Sequence, residues 1–228
     1  MISLILNLVM ILSAIFIIYD FTAKSAPRIY VNTISSVVEL KAIDGDIESF
    51  GSAVVVSNEG EFITNYHVIT YLTNNVNTMY SQIYVRLASE EDYYEVEVIR
   101  YDDKVDLALI RLIDISQQDK FKKIAFSPGD IRAGDTCYAI GNMNSQGISI
   151  SKGIVSNPRI SILLNNETRT YIQSEVNISK GSSGGSLLDI EGRLIGITTL
   201  RLKDIYGNPQ YGYGYSVPIE IVLDFLGM

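Results

Sequence analysis

One histidine, one cysteine and no tryptophan occur in the 228 residues, and each scarcity removes a class of chemistry. A single cysteine, Cys137, excludes an internal disulfide framework and any cysteine-based zinc cluster. It sits in the apolar run "CYAIG", which reads as an inert buried thiol and not a nucleophile. Basic residues are outnumbered, 18 Lys and Arg against 26 Asp and Glu, for a net charge of -8. With no basic cluster either, nucleic acid is excluded as an expected partner. Charged residues make up only 19% against 47% hydrophobic, so the chain has enough apolar surface to fold. Nothing in the sequence points to a metal or an organic cofactor.

The first nineteen residues, "MISLILNLVMILSAIFIIY", contain no charged side chain, and the first charge is Asp20. That length can cross a bilayer as a helix. No Lys or Arg precedes the apolar core, unlike a cleaved signal peptide, although "AKS" at 23–25 offers a small-residue cleavage site. The expectation is an anchor over residues 1–26, single-pass, with the rest of the chain extracytoplasmic. Lys24 and Arg28, after the segment, argue for the opposite orientation by flanking charge.

Beyond Pro27 the chain alternates short apolar runs with Gly, Asn, Asp and Ser. Strands are predicted at 36–42, 50–57, 61–65, 82–88, 93–101 and 107–113. A second set is predicted at 135–141, 147–156, 170–176, 185–190, 193–200 and 211–217. The polar stretch 116–132, with "FSPGD", separates the sets. About a dozen short strands imply an all-β sandwich or pair of barrels, not a βαβ fold. "PIEIVLDFLGM" closes the chain as a short helix, with Ser216 near its cap and Pro218 in its first turn. The tyrosine-rich "YGNPQYGYGY" (206–215) reads as a hairpin, and "NNETRT" (165–170) as a solvated loop.

Three places could carry chemistry. His67, in "TNYHVIT", lies just past a strand and is either structural or a base, the latter only with an orienting acceptor for its second ring nitrogen. "YDDKVDLALIRL" offers Asp102, Asp103 and Asp106. The first two read as solvated turn residues. Asp106 stands at the mouth of a buried strand, where a carboxylate needs donors, and reads either as a loop cap or as the acceptor for a histidine N–H. "SKGSSGGSLL" (179–188) could pass for a linker, but apolar strands flank it on both sides. Glycines around a serine let backbone N–H groups converge on a developing oxyanion. Composition does not choose between Ser182 and Ser183.

"GSAVVVSNEGEFITNYHVI", "VDLALIRL", "GDTCYAIGN", "GISISKGIVS", "YIQSEVNISKGSSGGSLLDIEGRLIGITT" and "GYSVPIEIVLDFL" together resemble the protease domain of the HtrA/Deg family, from about residue 35 to 226. The resemblance implies two six-stranded chymotrypsin-like β-barrels, residues 27–126 and 127–228, with the site between them. It implies a serine endopeptidase acting on unfolded or exposed polypeptide, in extracytoplasmic quality control, with Ser183 as nucleophile, His67 as base and Asp106 as orienting carboxylate. The N–H groups of Gly181 and Ser183 would form the oxyanion hole. Family members commonly trimerise through the N-terminal segment of the protease domain, which puts a homotrimer contact at 27–35. The alternative is a resting or inactive peptide-binding scaffold of the same fold.

The sequence departs from the family pattern before the nucleophile. Ser182 stands where the family usually has Asn and digestive relatives have Asp, so no acid is available for a cleaved N-terminus to pair with. "NISKGSSGG" replaces the common "AINPGNSGG", placing Asn177 and Lys180 beside the expected specificity pocket. The sequence reaches Met228 without the PDZ domain that usually follows in the family.

Overall fold

Alternation decides which face of each strand is buried, and in several strands both faces are. In β1 (Val37–Asp44), Val38, Leu40 and Ala42 point one way while Val37 points the other, and all four are fully buried. The same holds for β2 (Ile47–Val55), β3 (Glu61–Thr64) and β8 (Leu107–Leu112). Ala53, Val55, Phe62, Ala108, Ile110 and Leu112 join one core; Val54, Ile63, Leu107 and Leu109 join another. Two-sided burial explains why these segments read as continuous apolar runs.

The computed structural model describes residues 7, 9–15, 25–164, 167–200 and 212–228. Strands β1, β2, β3, β8, β7 (Tyr94–Asp102) and β6 (Gln82–Arg86) close into one antiparallel barrel. The second barrel closes in the order β10 (Ile148–Leu164), β11 (Glu167–Ser174), β14 (Gly214–Pro218), β13 (Leu194–Leu200), β12 (Ser186–Leu188), β9 (Thr136–Asn142). Its interior holds Cys137, Ala139, Val155, Ile172, Leu187 and Ile195. A third core, with Ile63, Leu107, Tyr138, Ile140, Leu188 and Ile197, takes residues from strands of both barrels. Each such buried aliphatic side chain stabilises by roughly 1.5–3 kcal/mol, so the seam holds the two barrels in one register.

Every predicted strand has a counterpart. The hairpin of β4 (Thr70–Thr73) and β5 (Val76–Met79) was not expected; Asn74 and Asn75, at φ 51° and 62°, make its two-residue turn. Also unexpected is helix α1 (Ala26–Thr33), which starts after Ser25 with Pro27 in its first turn and buries Ile29 and Thr33. "NNETRT" is corrected in part: Glu167–Thr170 belongs to β11 and pairs with Ser161–Leu164 of β10, while 165–166 lie outside the described residues. The terminal helix is α2 (Ile219–Leu226), ended by Gly227 at φ 77°. Its N-cap is Pro218; Ser216 lies inside β14 and not at the cap.

Most of the tyrosine-rich segment, residues 206–211, lies outside the described residues. So does most of the expected anchor, of which residues 9–15 are helical; among the described residues no helix is long and apolar enough to cross a membrane. Cys137 is fully buried in β9, and burial, with Asp135 and Glu175 nearby, pushes its thiol up to about 12. Iodoacetamide at pH 8 is therefore expected to spare Cys137 in the native chain and to modify it after denaturation. Fast alkylation of the folded protein would contradict this packing.

Candidate active site at the seam of the barrels

His67 follows β3 in a single 3-10 turn, Tyr66–Val68. Its ring is half exposed, and its Nδ1 lies 2.8 Å from Asp106 Oδ2, whose side chain is buried. Donation from Nδ1–H to an ionised carboxylate fixes the tautomer and leaves Nε2 free to accept a proton. Asp106 receives two further hydrogen bonds. The His67 backbone N–H donates to Oδ1 at 3.0 Å, and the Thr199 hydroxyl donates to Oδ2 at 2.7 Å. Burial pushes the Asp106 carboxyl up, but His67 and Thr199 outweigh it and hold it below its ordinary value. Asp106 also adopts φ 57°, a conformation uncommon outside glycine. Its carbonyl accepts from the Asn65 amide at 2.9 Å and from the Tyr66 N–H at 3.3 Å. Asp102 ends β7 and accepts from the Lys104 N–H at 2.8 Å, a local turn role.

Ser183 comes from the turn before β12 in the other barrel. Its hydroxyl donates to the Thr199 carbonyl at 2.8 Å and, among the described residues, makes no hydrogen bond to His67. Thr199 thus links the two halves, its hydroxyl on Asp106 and its carbonyl on Ser183. The turn is pinned from several directions. The Ser52 N–H donates to the Ser183 carbonyl at 2.8 Å, and the Ser52 hydroxyl donates to the Gly181 carbonyl at 2.8 Å. The same hydroxyl accepts from the Asn142 N–H at 2.8 Å.

The Lys180 carbonyl accepts from the Asn144 N–H at 2.7 Å. Across a trans peptide the C=O and N–H point oppositely, so the Gly181 N–H is turned away from Asn144. Among the described residues, neither the Gly181 nor the Ser183 N–H has a hydrogen-bond partner. Gly181 sits at φ 91°, and a side chain there would collide with the Asn142 carbonyl. Only glycine fits this position. Ser182 is buried and satisfied within its own loop, donating to the Ser179 carbonyl at 2.7 Å and accepting from the Ser179 N–H at 3.1 Å.

Sequence reasoning missed Asn65, Ser52 and Thr199. Asn65 alone left a trace, as an amide directly after the buried run "FIT". Among the described residues no group of His, Cys, Asp and Glu is arranged to hold a metal.

Comparison with known proteins places the chain in a family. Residues 51–197 match the trypsin-like peptidase domain. The chain belongs to the trypsin-like peptidase family. Within it, this is an HtrA/Deg-like protease domain. A probable serine protease do-like of Buchnera aphidicola (subsp. Acyrthosiphon pisum) is 34% identical over 175 residues, 76% of this chain and 34% of that protein. The serine endoprotease DegS of Haemophilus influenzae is 31% identical over 182 residues, 79% of this chain and 50% of that one. The peptidase domain thus spans between a third and a half of these relatives. Among solved structures, the HtrA-type protease AlgW with tripeptide aligns with a TM-score of 0.75 at 29% identity, covering 89% of this chain and 62% of that one.

Proposed function

We propose that the chain is a membrane-tethered serine endopeptidase that cuts unfolded or exposed polypeptide segments in extracytoplasmic quality control. The observation that carries this is the hydrogen-bonded series His67–Asp106–Thr199–Ser183 across the barrel seam, beside two N–H groups, of Gly181 and Ser183, that have no partner among the described residues. In the reaction, the Ser183 hydroxyl rotates from the Thr199 carbonyl to His67. Nε2 takes its proton as Oγ bonds to the scissile carbonyl carbon, and the displaced electron pair settles on the carbonyl oxygen. The Gly181 and Ser183 N–H groups receive that oxyanion. His67 then protonates the leaving amine, and water, deprotonated by His67, hydrolyses the acyl ester. The buried Asp106 holds the ring and stabilises its charged form throughout.

The division into barrels at 27–126 and 127–228 belongs to this reading, as does the anchor at 1–26. In the described part of that segment Val9, Met10, Ile11, Leu12 and Ile15 are exposed, as a lipid-facing helix requires. A homotrimer through 27–35 fits α1, which leaves Val31 exposed while Ile29 is buried. The resting or inactive scaffold has one observation in its favour, the Ser183 hydroxyl bonded to Thr199 and not to His67.

A fluorophosphonate probe separates the two. The full-length protein is expected to label, with Ser183→Ala as the blank. A folded protein that never labels, yet binds unfolded polypeptide equally well with Ser183→Ala, would establish the scaffold instead.

A further inference from the structure

Asn65 is fully buried, and its side-chain amide spans the two barrels. Its Nδ2 donates to the Asp106 carbonyl at 2.9 Å, and its Oδ1 accepts from the Gly184 N–H at 2.8 Å. Gly184 directly follows Ser183, so a single side chain joins the turn of the acid to the turn of the nucleophile. An amide suits this task because one end donates and the other accepts. A hydroxyl is too short to reach both, and a carboxylate would set an acceptor against the Asp106 carbonyl.

Neither partner needs Asn65 to avoid being left unsatisfied. The Gly184 N–H also donates to the Thr198 carbonyl at 2.8 Å, and the Asp106 carbonyl also accepts from the Tyr66 N–H at 3.3 Å. What the amide adds is a direct link between the two backbones, beside the one that Thr199 makes through side chains. The Asp106 turn is held at positive φ, and the Ser183–Gly184 peptide is bonded on its carbonyl side to Ser52. Both ends of the link are therefore stiff, and the link sets the distance between them.

We propose that Asn65 is a positioning residue that fixes the Asp106–His67 pair relative to Ser183 across the barrel seam. This rests on the triad reading above. Removing the amide lets the two turns drift, and small misplacements of reacting groups cost on the order of 100-fold in rate. Because both partners keep a second hydrogen bond, the fold survives the loss.

The test uses the full-length protein as wild type, Asn65→Ala and Asn65→Leu; the leucine variant keeps the branching and heavy-atom count of asparagine but is apolar and bulkier, so it removes the amide without leaving the cavity that alanine leaves. Three quantities are read: the second-order rate of fluorophosphonate labelling, the unfolding temperature, and the low-field proton signal of His67 Nδ1–H. That signal is unambiguous because His67 is the sole histidine. In both variants labelling is expected to fall between about 10- and 100-fold and the Nδ1–H signal to move, with unfolding lowered by only a few degrees. Labelling within threefold of wild type with an unmoved signal overturns the proposal, as does a labelling loss that merely follows the fraction unfolded. If the wild type itself does not label, the triad reading fails. The Nδ1–H signal then decides for Asn65 alone, since it reports the His67–Asp106 pair without Ser183.

Discussion

Asp106→Asn is expected to lower the rate of casein hydrolysis by about 10⁴, the scale seen when a triad carboxylate becomes an amide. The hydrogen bonds around Asp106 say why. All three donors point at acceptor oxygens: the His67 N–H at Oδ1, and His67 Nδ1–H and the Thr199 hydroxyl at Oδ2. An asparagine must place its NH₂ at one of those positions. Facing the His67 backbone N–H, it sets donor against donor with no escape, because the backbone cannot reverse. Facing His67 Nδ1, it can donate, provided the ring moves its proton to Nε2, and the Thr199 hydroxyl can turn to accept. The second arrangement costs less, and it leaves Nε2 carrying a proton where a base is required. The fold should persist, so circular dichroism should be unchanged while hydrolysis collapses. A loss of tenfold or less would mean that Asp106 does not set the tautomer.

Stability carries a second signature of the same carboxylate. Asp106 is held below its ordinary value in the folded chain, so its ionisation stabilises the fold above the unfolded value of about 3.9. That contribution is lost as pH falls through the lower folded value. The part of the stability gap between wild type and Asp106→Asn that comes from ionisation is therefore full at neutral pH and closes below about pH 4.

Strand positions were legible because apolar runs and turn residues are local signals. The β4–β5 hairpin escaped because its strands expose Leu72 and Val76 and bury little, though Asn74–Asn75 is a recognisable hairpin turn. Helix α1 escaped because it is eight residues long with two buried positions, too few for a periodic pattern. In the site, His67 and Asp106 stood out as rare or oddly placed residue types. Asn65 and Ser52 act through partners 119 and 129 residues away, and Thr199 through one 93 away. Nothing within ten residues of them announces a partner; only barrel closure and the seam bring those groups together. Ser182 was informative only against the family pattern, as an alcohol where relatives carry an amide or an acid; the structure adds that its own loop satisfies it, so it needs no charged partner.

The tightness of the seam leads to the second large effect, Gly184→Ala. Gly184 sits at φ 82°, and an added methyl would overlap the Ser52 carbonyl oxygen and Thr64 Oγ1. Both belong to fully buried strand residues of the first barrel, and Thr64 Oγ1 already donates to the Ser52 carbonyl at 2.7 Å. Neither can retreat without opening that barrel between β2 and β3. Left-handed backbone alone costs an alanine roughly 1–2 kcal/mol. The steric overlap should bring the total to about 4 kcal/mol or more, which places it among the exceptional single substitutions. In a domain of this size that lowers the unfolding temperature by about 10 °C. Gly134→Ala is the internal control: at φ 92° it has nothing within 4 Å of the added methyl, so only the backbone cost applies. If the two substitutions lower the unfolding temperature equally, the barrels are not in contact at Gly184 as described. If Gly184→Ala alone is severe, and its surviving folded fraction also fails to label with fluorophosphonate, then barrel contact and nucleophile geometry are fixed by the same atoms.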